Sequence, residues 1–585
     1  MDLEEADGVQ QLDTSIYDIY KWGGPNDSFR QGNNDYFGYQ YHNDLLSLPT
    51  SASYYGGIPL EVYDISASGN QMSFSVRFRW NLDSDYRGKN TLSAAAIDFD
   101  QDGQDELLYP MPDGTIYLWD DEVLVSGYPL ARMPMKQTWV WDNEAAYLPM
   151  EQQGLCRMYK LANNARRYVF TIFNSTWASH PIDLGTKLVL PINWLVPGTQ
   201  NALGTSSLYV YDKASETATE QLTWGSPLVS NLVKFRDQIL MLHKDNNLGY
   251  QLTRTGLDVV SSTTSSLAVP ADSTIVGIFM APVVPGSSEG NLIVQCPNSV
   301  YMFDSALNLV EGFPFVHNLV AASDTSSVAP LTLADVDGNG SLDIIIGGER
   351  GLAVVDYQGS RMNSNANYLA QDAEGISSGV FAADIDADGK AELLGSFANN
   401  RLQVYEHDFR SKAGYPVSYA ERSRTLPFLS QAGEGKWYIY VSGDNGQIYR
   451  EPSPAAPAAN PALIWQHEYA GFNRWASIDP ANLPNQYQNA AMFVPDQVYI
   501  YPNPLKQMFE KRIYLNIMPT RDTKVELQIF DISGVRVYEH TAIARAYLKN
   551  LDEFEIPAAK LSSGVYIAII KANGYNQRIK FAVEK

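Results

Sequence analysis

Cysteine is nearly missing from this chain. Cys156 and Cys296 are the only two in 585 residues, which excludes a disulfide scaffold and a cysteine zinc motif and leaves two small buried hydrophobes as the expectation. Cationic side chains are also in short supply: 42 Lys and Arg stand against 66 Asp and Glu, a net charge of -24. That balance argues against nucleic acid, whose phosphates need a cationic surplus, and against anionic membrane surfaces. No apolar run reaches the roughly 18 residues of a membrane-crossing helix, so no transmembrane segment is expected. The opening MDLEEADGVQQ has neither the basic start nor the apolar stretch of a signal peptide.

Catalytic signatures are missing too. The histidines are His42, His180, His243, His317, His407, His467 and His540. No two are four apart, so the His-Glu-x-x-His zinc motif, with two imidazoles on one helix face, is absent. There is no Gly-rich phosphate loop, no Gly-x-Ser-x-Gly elbow and no Cys/His nucleophile pair. No catalytic residue is assigned, and the chain is read as a non-enzyme.

What is present points to β structure in two to four units. Hydrophobic residues make up 45%, enough for real cores, and 36 Tyr, 42 Gly and 31 Pro accompany few long helical patterns. LADVDGNGSLDIIIGGE (Leu333–Glu349) has two relatives, AIDFDQDGQDELLYP from Ala96 and AADIDADGKAELLGS from Ala382. A second marker is a short strand closing on an acid, at Asp120, Asp212, Asp304, Asp356 and Glu406. A third is a Gly-x-Pro turn at Gly127, Gly225, Gly312 and Gly414. All three share a period just under about fifty residues, the size of one four-stranded propeller blade. Residues 89–475 hold seven such units, with eight left open because the stretch from Met133 to Thr223 is poorly marked.

Aspartates at alternate positions followed by glycine turn the backbone so that carboxylates converge, an arrangement that is repulsive alone and cohesive around Ca²⁺. The first six positions match an EF-hand, but position twelve holds Tyr109, Ile346 or Gly395 where a glutamate is required. An acid stands instead at position nine, and a buried-strand pattern follows it. The expected side-chain ligands are Asp98, Asp100, Asp102 and Glu106; Asp335, Asp337, Asn339 and Asp343; and Asp384, Asp386, Asp388 and Glu392. Gln104, Ser341 and Lys390 at position seven are expected to offer backbone carbonyls. This recurring pattern resembles the FG-GAP or VCBS-type repeats of integrin-like β-propellers, and the resemblance implies structural Ca²⁺.

Residues 476–500 read as linker. After them YPNP (Tyr501–Pro504), IFDISGVRV (Ile529–Val537), LSSGVYI (Leu561–Ile567) and KFAVEK (Lys580–Lys585) outline a small Ig-like β-sandwich. These motifs are similar to the type A C-terminal sorting domain of the type IX secretion system. The resemblance covers 501–585 and implies export across the outer membrane of a Gram-negative bacterium, with the secretion machinery as partner. Such cargo carries a signal peptide, so the chain is expected to lack its original beginning.

Residues 1–88 contain DLEEADG (Asp2–Gly8), GGPNDSF (Gly23–Phe29) and a hairpin within Tyr54–Phe78. They are similar to the tail of immune-inhibitor-A-like metallopeptidases. The expectation is therefore an all-β chain: a β-rich tail, a seven- or eight-bladed β-propeller, and a sandwich sorting domain. Its propeller would bind or position an unknown protein or glycan at the cell surface or outside the cell. Two alternatives stand beside it: the accessory region of a zinc metallopeptidase whose catalytic domain lies upstream, and an adhesin or glycan-binding propeller.

Overall fold

Short Val-, Ile-, Leu- and Tyr-rich runs, punctuated by Gly, Pro and Asx turns, pair here as antiparallel meanders. The computed structural model describes residues 28–33, 35, 37, 60–78, 81–83, 92–120, 123–130, 134–135, 138–162, 165–199, 202–287, 289–320, 328–363, 375–388, 390–397, 400–419, 422–432, 436–444, 446–453, 474–479, 491–494, 496–506, 512–551 and 553–584. Among them the one helical element is a single turn, Ala558–Lys560.

Eight meander sheets follow one another among the described residues. Their first strands are Ala95–Ile97, Val140–Trp141, Ser175–Trp177, Val233–Phe235, Gly277–Ala281, Thr332–Ala334, Ile376–Ala383 and Phe428–Ala432. The last sheet takes its outer strand from the other end of the chain. Asn81–Asp83 pairs antiparallel with Gln447–Pro452, Asn81 opposite Tyr449 and Asp83 opposite Gln447. This strand lies in the segment that the sequence reading left outside the propeller. Pairing of chain ends covers a sheet edge that would otherwise stay exposed.

Apolar clusters join each sheet to its neighbour. Leu108 and Leu118 pack with Trp139 and Trp141, and Tyr147 and Cys156 with Leu190 and Tyr211. Further clusters carry the core through Val233–Phe409 and on to Leu402–Tyr449. Tyr109 and Trp119 of the first sheet then pack with Phe428, Tyr440 and Ile448 of the last, so the packing returns to its start. The fold is a β-propeller.

The Gly-x-Pro marker has a structural reason. Gly127, Gly312 and Gly414 have φ of 94, 91 and 90°, where a Cβ is strained. Each is followed by a buried aromatic, Tyr128, Phe313 or Tyr415. The sheets that begin at Val140 and Ser175 lack aspartate loops and have strands as long as Ala165–Phe173 and Leu203–Asp212, so the repeat was hard to read there.

Arg474–Asp479, which spans the expected boundary between propeller and linker, is hydrogen-bonded to propeller residues. The Lys234 amide donates to the Trp475 carbonyl at 3.0 Å and the Met280 amide to that of Ala476 at 3.1 Å. The Trp475 indole donates to the Asp183 carbonyl at 2.6 Å, and Arg474 Nε to that of Trp139 at 3.0 Å. Four successive sheets are tied together by six residues.

The C-terminal part is a sandwich of a three-stranded sheet (Tyr499–Tyr501, Ile513–Asn516, Glu555–Ile556) and a five-stranded sheet. The alternating Val525, Leu527 and Ile529 point into its core with Phe554, Ile570 and Phe581, and Phe493 joins them. Further upstream, Leu60–Tyr63 pairs with Ser75–Phe78, the hairpin expected from alternation. DLEEADG and most of the remaining N-terminal segment lie outside the described residues. Cys156 and Cys296 are buried, and no disulfide joins them.

Candidate metal centres

Each aspartate loop joins the first and second strands of its sheet. Ala95–Ile97 runs into Glu106–Pro110, Thr332–Ala334 into Asp343–Gly348, and Ile376–Ala383 into Glu392–Phe397. The loops are called one, two and three. Their backbones follow one pattern. Position four is left-handed, with φ of 64° at Gln101, 71° at Gly338 and 64° at Ala387, and so are Gly103 and Gly340 at position six. Gly389 lies outside the described residues.

Side chains lock this path. The position-one carboxylate accepts the position-six amide in loops one and two, Gly103 to Asp98 at 3.2 Å and Gly340 to Asp335 at 2.7 Å. Position three accepts the amide of position five: Asp102 to Asp100 at 3.2 Å, Asn339 to Asp337 at 3.1 Å and Asp388 to Asp386 at 3.2 Å. The position-nine acid reaches back to position two: Phe99 donates to Glu106 at 2.6 Å, Val336 to Asp343 at 3.0 Å and Ile385 to Glu392 at 2.8 Å.

The consequence is convergence. One carboxylate oxygen from each of Asp98, Asp100 and Glu106 lies within 4.8 Å of the others, and the same holds for Asp335, Asp337 and Asp343 and for Asp384, Asp386 and Glu392. Asp102 and Asp388 stand outside these groups. With Asn339 they cap the position-seven amides of Gln104, Lys390 and Ser341 at 2.8, 2.9 and 2.7 Å. Position-seven side chains turn elsewhere: Ser341 Oγ donates to the Val283 carbonyl at 2.8 Å, and Lys390 Nζ lies 2.9 Å from His407 Nε2.

The residues fit a hard cation. Asp98 Oδ1, Glu106 Oε1 and Glu392 Oε1 are buried oxygens without a hydrogen-bond donor, a costly condition that a divalent ion would relieve. Burial pushes Glu106 up to about 7, Asp335 to about 6 and Glu392 to about 8, despite amide hydrogen bonds that pull the other way. Asp343 is also raised well above the ordinary carboxylate value, by burial and by Asp337 and Asp335. These carboxyls resist ionising because negative charge is crowded where water is not.

Two loops already contain a cation that sequence reading missed. Lys412 Nζ lies 2.6 Å from Asp386 Oδ2, 3.0 Å from Glu406 Oε1 and 3.8 Å from Glu392 Oε1. Burial lowers this ammonium, and its hydrogen bonds to Asp386 and Glu406 more than offset that. Arg521, from the C-terminal domain, lies 3.2 Å from Asp337 Oδ2 and 3.0 Å from Asp356 Oδ2. Asp356 and Glu406 are the acids of the strand-end marker, which was the available signal. It placed the acids and not their partners.

A propeller with converging-acid loops and a C-terminal sandwich is the class that fold and site define. Residues 335–395 match the FG-GAP-like repeat family, and residues 499–584 match the secretion system C-terminal sorting domain. The chain therefore carries the mark of type IX export to the cell surface or the extracellular space. No curated protein matches it in sequence. Among solved structures it is similar to Saccharomyces cerevisiae Sqt1 (9% identity, 64% of this chain and 98% of that one, TM-score 0.45). It is also similar to the Dos1 propeller (10%, 64% and 94%, TM-score 0.41) and to a europium-containing methanol dehydrogenase (10%, 68% and 89%, TM-score 0.38).

Proposed function

We propose that the chain is a non-catalytic, calcium-stabilised propeller, exported through its C-terminal domain and displayed to bind or position a partner outside the cell. In this reading the ring has eight blades. It runs from strand Asn81–Asp83 to the segment Arg474–Asp479, and the sorting domain follows from about Met492. The calcium ligands are Asp98, Asp100 and Glu106, Asp335, Asp337 and Asp343, and Asp384, Asp386 and Glu392, aided by position-seven carbonyls. Bound Ca²⁺ would neutralise the converging carboxylates and fix the turn between two core strands.

The observation that carries this is the donor-less pair in loop one, Asp98 Oδ1 and Glu106 Oε1, buried beside Asp100. The test is calorimetric titration of the full chain with Ca²⁺, together with melting curves in calcium and in EDTA. Binding that is weakened by Asp335→Ala plus Asp384→Ala, and a lower melting temperature in EDTA, are expected. An EDTA melt identical to the calcium melt would defeat the reading. The pocket lined by Trp177 and Tyr250 lends the glycan reading no support, since these two side chains are 3% and 2% exposed and present no open ring.

A further inference from the structure

We propose that loop two is a socket contested by Ca²⁺ and by the guanidinium of Arg521, so that metal binding there and docking of the C-terminal domain oppose one another. The proposal rests on the calcium reading above and adds a regulator to one of its three sites.

The position-three carboxylate separates the loops. In loop one, Asp100 Oδ1 takes the Asp102 amide, and among the described residues no Lys or Arg pairs with Asp98, Asp100 or Glu106. In loop two both oxygens of Asp337 are engaged. Oδ1 accepts the Asn339 amide at 3.1 Å and Oδ2 accepts Arg521 Nη2 at 3.2 Å. A carboxylate oxygen spent on a guanidinium is not available to a metal, and the two cations repel at that range. Asp337 is one of the three converging groups, so in this proposal its Oδ2 serves the cage only when Arg521 withdraws.

The Arg521 contact belongs to a built interface. Its side chain is 7% exposed, and its Nη1 donates to Asp356 Oδ2 at 3.0 Å, while Asp356 Oδ1 caps the turn amides of Gln358 and Ser360 at 2.9 and 2.8 Å. Next to it, the Asp522 amide donates to the Arg361 carbonyl at 2.6 Å, and the Tyr547 ring meets Phe409 edge-on at 5.7 Å. Asn573 Nδ2 reaches Gln358 Oε1 at 2.5 Å. Docking therefore delivers a buried positive charge to one loop only. Coupling is reciprocal: if Arg521 weakens Ca²⁺ at loop two, Ca²⁺ loosens the domain by the same factor. Lys412 shows the same device built within a single sheet, where no domain needs to move.

The test uses the full chain and Ca²⁺ itself. Calorimetric titration compares wild type, Arg521→Gln and Arg521→Gln with Asp337→Asn. Arg521→Gln should tighten one site by roughly tenfold, and Asp337→Asn should remove that gain. In wild type, hydrogen exchange across residues 519–523 should rise as Ca²⁺ passes from loop-one saturation to excess, with loop one staying protected. That measurement needs no substitution, so it stands even if Arg521→Gln fails to fold. Equal affinities in wild type and Arg521→Gln, or unchanged exchange at 519–523 in excess Ca²⁺, would overturn the socket and leave the calcium reading intact. No binding at any loop would overturn both.

Discussion

Lys412 Nζ sits 2.6 Å from Asp386 Oδ2 and holds Glu406 at 3.0 Å on its other side, with its side chain 7% exposed. The ammonium is thus the internal counter-ion of loop three. Removing one partner of a buried ion pair leaves the other charge unpaired, which costs about 3 kcal/mol. Lys412→Met should lower the melting temperature of the EDTA-treated protein and recover much of the loss in saturating Ca²⁺, because the freed oxygens then meet a metal. Paired melting curves read this directly. A variant as stable as wild type in EDTA would refute the counter-ion role.

Loop three also stores backbone strain that loop two avoids. Ala387 has φ of 64° at position four, where loop two has Gly338 at 71°. An L-residue in the left-handed region costs about 1 kcal/mol, and Ala387 is exposed, so its methyl buries little in return. Ala387→Gly should therefore stabilise the protein by up to about 1 kcal/mol, less the added freedom of glycine in the unfolded chain. Chemical denaturation measures it, and a destabilised variant would show that the methyl has an unrecognised contact.

The aspartate loops were readable because their chemistry is local. Alternate acids, a glycine at position six and an acid at position nine specify a turn and a strand within a dozen residues, and Asp98, Asp335 and Asp384 repeated it in phase. At position five, Asp102 and Asp388 have the spacing of ligands and also cap the position-seven amides through one oxygen each. What sequence could not supply came from distance along the chain. Arg521 meets Asp337 only because two domains pack, and Asn81–Asp83 joins the last sheet because a ring must close. No local pattern encodes either event. The sheets that begin at Val140 and Ser175 were hard to count for the complementary reason, having the strands without the aspartate loops.

Acid should destabilise the propeller through its buried imidazoles. Burial lowers His243 from 6.5 to about 4, its ring packed at 4.7 Å from Trp224 and its Nδ1 3.3 Å from Ser206 Oγ. The unfolded chain takes up a proton below pH 6.5 while the folded chain does so only below about 4. Stability contributed by the neutral ring is thus present above 6.5 and lost as pH falls toward 4, about 3 kcal/mol in all. The raised carboxyls Glu106 and Glu392 act in the opposite sense, losing stability as pH rises from 4.5 to about 7 and about 8. Saturating Ca²⁺ should suppress that second effect. Under calcium, His243→Gln should flatten the fall in melting temperature between pH 6.5 and 4. An unchanged slope would show that His243 is not the titrating group.

Trp475 offers the sharpest test of the strap across the sheets. Its indole donates to the Asp183 carbonyl at 2.6 Å, its carbonyl accepts the Lys234 amide at 3.0 Å, and Lys234 Nζ lies 3.9 Å from the ring centroid. Trp475→Ala removes the ring's packing, its hydrogen bond and the cation–π contact, at a cost of about 3 kcal/mol. The loss should be uneven. Amides of Lys234 and Met280, which donate to the strap's carbonyls, should exchange faster, while Val525–Ile529 of the C-terminal sandwich keeps its protection, because Trp475 bonds to the propeller sheets and is not among the described residues of that core. Uniform acceleration across both domains would mean that the substitution unfolds the chain globally, and unchanged exchange at Lys234 and Met280 would mean that the strap holds without its tryptophan. Faster exchange at those two amides alone would assign Arg474–Asp479 to the ring.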